Sequence, residues 1–467
     1  MRLATITAAA VLAMAAFTGP ALAQPTPPEV SVERAGEVFL VTYDLPSEAS
    51  AWAFFRSSLI MESREPWRLQ QWRVTTPGVS LRRVGAYDVL TTEDGGPVPR
   101  HIEIEMRPAY HNLEADYSTL TFTDGSIAMP TGIFDVFPVA SVEAVEAVPA
   151  DLNTVEFDLV EANVRWRDRA GSVLFMGERY DGVQSHAANT YILFGQAEIV
   201  ATERLMTVVD PELPSWIADG IQEFALRVAD HYADRLGPGA FDRPTIMASW
   251  NGPTPGMISL GGSVMPGLIV MNFEGEGVVQ ENPGVRAQSR WFIAHESAHF
   301  WLGQTVRYAV ARDAWITEGG ADLMAFRATA ALEPDYDVRA SLQSAVDECA
   351  GHAAQPVADA AGRGGHRAFY ACGAIFALVA EAAQRRADNG DWFDFLRPLI
   401  EANREDQELT RAEWLAHLTA VSGDASLAPD IERILDSGHP DPYAAIAGLF
   451  ARSGVAYSEV EGRVVLD

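Results

Sequence analysis

Two histidines stand four residues apart with a glutamate between them: His295, Glu296 and His299, in the stretch HESAHFWLGQ. On a helix the pair lies on one face, a turn apart, and both rings can reach one metal ion about 2.0–2.1 Å away. Glu296 is about 100° further round. It cannot easily join them as a ligand, but it can reach a water on the metal. The neighbours are aromatic and small, and two imidazoles with a carboxylate are costly on such a face without a metal. The pattern constrains the whole chain, because two ligands do not make a catalytic site. A third donor has to be folded in from elsewhere.

The stretch WITEGGAD, residues 315–322, can supply it. Glu318 is expected on a second helix, with Thr317 as its N-cap. Packed against the first helix, its carboxylate completes a His₂Glu set for one Zn²⁺ per chain and leaves a position for water. Asp322 sits one turn on. It can accept the free ring N–H of a ligand histidine and fix its tautomer; the alternative is an exposed helical charge.

Three regions flank and contain these motifs. Residues 24–187 hold short β-rich runs such as VFLVTYDL and HIEIEMRP, punctuated by EDGG and TDGS, which suggests a β-sandwich. Residues 188–332 mix strands with helices. One helix is expected from Ser215, as N-cap, to just before Gly237; another runs from about Gln288 to Val306. Residues 333–467 read as packed helices with charged outer faces. The expected fold class is α+β and multidomain.

The first 23 residues carry Arg2, an apolar stretch, and Ala21-Leu22-Ala23 before Gln24, the pattern of a cleaved signal peptide. No later segment has 18 uncharged apolar residues in a row, so no stable membrane insertion is expected after cleavage. The mature protein is expected to be exported, to the periplasm or outside the cell. In that setting Cys349 and Cys372 suggest one disulfide, contributing about 3 kcal/mol; two reduced, buried thiols are the alternative. Net charge is −30, and all 34 basic residues are arginine. A nucleic-acid partner is not expected.

HESAHFWLGQTV, then 18 residues after His299, then Glu318-Gly319, is similar to the gluzincin zinc peptidases. More narrowly it resembles the membrane alanyl aminopeptidase family, which includes the leukotriene hydrolase. Trp301 and Gly303 fit that family's H-E-x-x-H-x-W-x-G run. The resemblance implies a thermolysin-like catalytic domain acting on peptides, with His295, His299 and Glu318 on zinc and Glu296 as the base. It also implies a role for Tyr370, in Tyr370-Ala371-Cys372-Gly373-Ala374: a phenol that bonds the oxyanion, supplied from the helical region. A core tyrosine is the alternative. The disulfide would then help to fix Tyr370, and His366 lies one turn before it.

The stretch GGSVMPGLIV, residues 261–270, resembles the family's substrate strand, with Gly261, Gly262 and Gly267 in it. The glutamate that anchors a substrate's free amine falls at Val264. Glu274 and Glu276 lie near in sequence. The expectation is an exported zinc metallopeptidase, aminopeptidase-like. The alternatives are an endopeptidase or oligopeptidase of the same fold, and a non-catalytic zinc-containing binding protein.

Overall fold

Alternation shapes the N-terminal strands: His101–Met106 and Val38–Asp44 bury every second side chain and turn the others outward. The computed structural model describes residues 26–114, 116–150, 152, 159–281 and 283–467. The expected signal peptide lies outside the described residues.

Three sheets form the N-terminal part. The six-stranded one runs Val183–Ser185, Asn163–Asp168, Glu29–Ala35, Val38–Asp44, His101–Met106, Trp72–Val74. A four-stranded sheet is built on Ala51–Phe54 and Tyr87–Thr92, and a five-stranded one on Tyr191–Phe194 and Ile127–Pro130. Val32, Phe39, Trp52, Phe54, Trp166 and Phe194 bring all three sheets into one core. Tyr191–Phe194 lies beyond the expected boundary at 187, yet it pairs with Ile127–Pro130 and Val173–Phe175. All four of its residues are buried, so the run carries no alternation that could assign it to a sheet from sequence.

The middle sheet runs Val200–Ala201, Met206–Val209, Thr245–Trp250, Leu268–Glu274, Ser259–Met265. Its three central strands are parallel, and Ser259–Met265 closes one edge antiparallel to Leu268–Glu274. Thr245–Trp250 is buried throughout, as a central parallel strand covered on both faces must be. Ile246, Ala248, Ile269 and Met271 face the helices. Met206, Val208, Met247 and Val270 face Phe122, Leu174 and Leu193 of the N-terminal part.

Two expected helix starts shift. Ser215 lies inside the first turn, because Pro214 takes the cap position; a π turn at Gly220–Phe224 follows, and Gly237, at φ 78°, ends the helix. The helix carrying Glu318 spans Trp315–Leu332, so Thr317 is interior, and its hydroxyl donates to the carbonyl of Ala314. Helix dominates beyond it. The Arg367–Asp388 helix is buried almost all round and forms the centre of the C-terminal half. A disulfide between Cys349 and Cys372 ties it to the helix Val338–His352, with Cα atoms 4.7 Å apart. Among the described residues no helix is long and apolar enough to cross a membrane.

Candidate active site

The histidine helix, Pro283–Ala298, packs Phe292 and Ile293 into the core beneath the middle sheet and carries His295 inward. It stops eight residues short of the expected end at Val306. His299 N closes on Glu296 O at 3.2 Å, a tightened last turn, and Gly303 at φ 138° carries the chain away. His299 therefore sits at the helix end, one turn beyond His295 on the same side.

Hydrogen bonds fix both rings. His295 Nδ1 lies 2.9 Å from Asp322 Oδ1, and His299 Nδ1 lies 2.8 Å from the carbonyl of Leu302. A carbonyl can only accept, so His299 Nδ1 carries the hydrogen; the carboxylate favours the same tautomer in His295. Both Nε2 atoms are left as acceptors, and they face each other at 3.1 Å. Glu318 Oε2, from the glutamate helix Trp315–Leu332, is 3.5 Å from each of them and has no hydrogen-bond partner despite burial. Three lone pairs thus converge.

The electrostatics favour positive charge at this point. Burial lowers the His295 pKa, but Asp322 and Glu318 outweigh it and hold the imidazole up to about 10. Burial raises Glu318, but the two imidazoles outweigh that and hold its carboxyl far below the usual range. A tetrahedral ion with bonds of about 2.0–2.1 Å needs ligand atoms about 3.3 Å apart. The observed spacings, 3.1 and 3.5 Å, fit it. His295, His299 and Glu318 could hold a metal ion.

Glu296 and Tyr370 stand beside this point. Glu296 is half-buried, and burial pushes its carboxyl up against the lowering effect of both imidazoles. The Tyr370 ring stacks on His295 at 5.5 Å. Burial, with Glu318 and Glu296 close by, holds its phenol far above the ordinary range, so the hydroxyl stays protonated and can donate. What brings Tyr370 here is a helix crossing. Gly319 and Gly373 let the glutamate helix and the tyrosine helix, Arg367–Asp388, touch through their backbones.

A cleft of about 920 Å³ opens over these groups, lined by Glu296, His299, Glu318 and Tyr370, by residues 262–265 of the edge strand and by Pro266 just after it. Packing leaves little room at Gly262, where a methyl would lie 2.5 Å from the Phe292 ring and 3.0 Å from the carbonyl of Val270; one on Gly261 would meet only the end of the Asn272 side chain. Gly267, at φ 66°, makes the turn out of the strand. Gln304 straps that turn to the loop after His299, accepting from Gly267 N at 2.9 Å and donating to Met265 O at 2.7 Å. Val264 lines the cleft with an apolar side chain. Glu274 and Glu276 are not among the residues lining it; Glu274 instead accepts from the Thr254 hydroxyl at 2.5 Å. His366 is exposed and also stands outside the cleft.

Sequence reasoning missed Tyr117, Phe241, Arg307, Tyr308 and Glu408, which also line the cleft. Arg307 and Tyr308 fall in the 18-residue spacer, of which only the length enters the motif. Trp291, one turn before His295, was missed too; its ring N–H donates to Asp322 at 3.0 Å.

No family model matches the chain, and no curated protein matches it. Solved structures do. An aminopeptidase N family protein from Idiomarina loihiensis superposes with a TM-score of 0.60 at 9% identity, over 90% of this chain and 78% of that one. Lower scores go to a mutant zinc metallopeptidase from Deinococcus radiodurans bound to a Tyr-Ser-Ala substrate (TM-score 0.46, 13% identity, 88% and 94% covered). Legionella pneumophila aminopeptidase A in complex with aspartic acid follows (TM-score 0.48, 10% identity, 88% and 49% covered). The first superposition gives this chain the fold of an aminopeptidase N family protein. The likeness to the gluzincin aminopeptidases seen in the motifs is thus repeated in the architecture.

Proposed function

We propose that the protein is an exported zinc metallopeptidase that hydrolyses peptide bonds, aminopeptidase-like in type. An N-terminal β-sandwich would precede a thermolysin-like catalytic domain, and the C-terminal helical domain would supply Tyr370. The observation that carries the reading is the convergence of His295 Nε2, His299 Nε2 and Glu318 Oε2 in a cleft that also presents Glu296 and Tyr370.

Held by these three residues, one zinc ion would lower the pKa of water and polarise a carbonyl. Glu296, made more basic by burial while the adjacent imidazoles favour its ionised form, takes a proton from the attacking water and passes it to the leaving amine. The Tyr370 phenol donates to the oxygen that gains negative charge. The free edge of Ser259–Met265 offers backbone groups to an extended substrate. Asp322 holds His295 in the tautomer that leaves Nε2 free.

One observation favours a second reading of the cut. Val264 stands where the resembled family has an amine-anchoring carboxylate, and neither Glu274 nor Glu276 lines the cleft. An endopeptidase or oligopeptidase would not need that carboxylate. Aminoacyl-arylamides against N-blocked peptides separate the two readings. The test of the chemistry itself is Glu296→Gln. Zinc content should be unchanged, and turnover should fall by about 10²–10⁴. A zinc-loaded variant with full turnover removes the assigned mechanism.

A further inference from the structure

Arg307 is the one arginine among the described residues that line the cleft. Its backbone is held firmly. Arg307–Tyr308 pairs in parallel with Glu408–Leu409, and Arg307 N donates to Gln407 O at 3.0 Å, so the position is braced by the C-terminal half. Its side chain is exposed and makes no ion pair or hydrogen bond with the described residues. A guanidinium carries five N–H donors in a planar fork that matches a carboxylate. Here that fork stands, unpaired among the described residues, on a strand that lines the same cleft as Glu296 and Tyr370.

The other charges of the cleft sharpen the point. Glu296 and Glu318 belong to the chemistry. Glu408, the register neighbour of Arg307, lines the cleft without pairing with it. Val264 offers nothing to an amine. Apart from the reacting groups, the cleft therefore offers one positive charge, Arg307, and one negative charge, Glu408. We propose that Arg307 binds a carboxylate of the peptide substrate, either the free C-terminus of a short peptide or an acidic side chain. This inference rests on the peptide-cleaving reading above.

The test uses the full-length, zinc-loaded Glu296→Gln protein, in which binding can be measured without turnover. Calorimetry compares three peptides of one length: a neutral C-terminal amide, the same peptide with a free C-terminus, and the amide with one alanine replaced by glutamate. At least one carboxylate peptide should bind roughly tenfold to hundredfold more tightly than the neutral amide, the value of charge-assisted hydrogen bonds. Which one does so identifies the source of the carboxylate. Adding Arg307→Ala should bring that ratio to about one. Adding Glu408→Gln instead should widen it, because a competing negative charge is removed. If all three peptides bind alike, or the ratio survives Arg307→Ala, this inference alone is overturned. If none of them binds, the peptidase reading falls with it.

Discussion

Gly319 and Gly373 meet backbone to backbone where the glutamate and tyrosine helices cross: a methyl group on Gly373 would lie 2.9 Å from the Cα of Gly319. Glu318 is next to one glycine, and Tyr370 is one turn before the other. The crossing therefore sets how far the phenol stands from the metal donors. Alanine at Gly319 would meet backbone, which yields poorly, and overpacking of this kind costs about 1–3 kcal/mol or more. Gly319→Ala should lower the melting temperature and also the specific activity of the protein that remains folded. Full activity in a folded variant would show that the crossing does not position Tyr370.

Asp322 Oδ1 receives both His295 Nδ1–H, at 2.9 Å, and Trp291 Nε1–H, at 3.0 Å. Asparagine in its place keeps the shape and loses the charge. Zinc affinity, read by competition with a chelator, should fall about 10–100-fold. An unchanged dissociation constant would leave Asp322 with only a packing role.

Removing the Tyr370 hydroxyl tests oxyanion stabilisation alone. Tyr370→Phe keeps the ring on His295, so zinc content should not change. The kcat should fall about 10²–10³-fold while KM moves little. A variant that loses only affinity would place the phenol in substrate binding instead.

The disulfide joins Cys349 to Cys372, two residues after Tyr370. Closing a loop of this length contributes about 3 kcal/mol. Reductant should lower the denaturation midpoint of the native protein. It should leave that of a Cys349→Ser, Cys372→Ser double variant where it is. Equal sensitivity of the two proteins would rule out the bond as the cause.

A pH effect should arise far from the cleft. Burial raises Asp135 to about 6, against a hydrogen bond from Ala162 N at 2.9 Å. The folded state thus holds this proton more tightly than the unfolded chain, whose ordinary value is 3.8. The group's stabilising contribution is complete below pH 3.8 and is lost as pH rises through about 6. A rise from 3.8 to about 6 is equivalent to at most about 3 kcal/mol. Stability curves from pH 4 to 7 should fall more steeply for the native protein than for Asp135→Asn; parallel curves would contradict the assignment.

The pairing of His295 with His299, and of Glu318 with Asp322, could be read from the sequence because one helical turn separates each pair; that the two pairs meet depends on the packing of two helices, which only the spacing of the motif suggested. Tyr370 entered only through the resemblance of Tyr370-Ala371-Cys372-Gly373-Ala374 to a family run; the crossing at Gly373 that brings it to the cleft is a contact between two distant helices and has no local signature. The end of the histidine helix could not, since Phe300, Trp301 and Leu302 continue an apolar run that looks helical until Gly303 turns the chain. Arg307 and Tyr308 could not be read either. Their place in the cleft depends on pairing with residues 408–409, about a hundred positions later, and no local pattern encodes that. Tyr191–Phe194 is ambiguous for a related reason: a strand buried on both faces does not say which sheet owns it.

The methionine-rich seam between the N-terminal part and the middle sheet sets a limit on where this chain can be cut. Met206, Met247, Met265 and Val270 meet Phe122, Leu174 and Leu193 in one buried apolar layer. Trimming the chain to its middle sheet and helices would strip that layer from the back of the sheet whose edge lines the cleft. The fragment would be adhesive. A shorter chain would need polar residues at those positions, so the middle sheet depends on the N-terminal sheets for its cover.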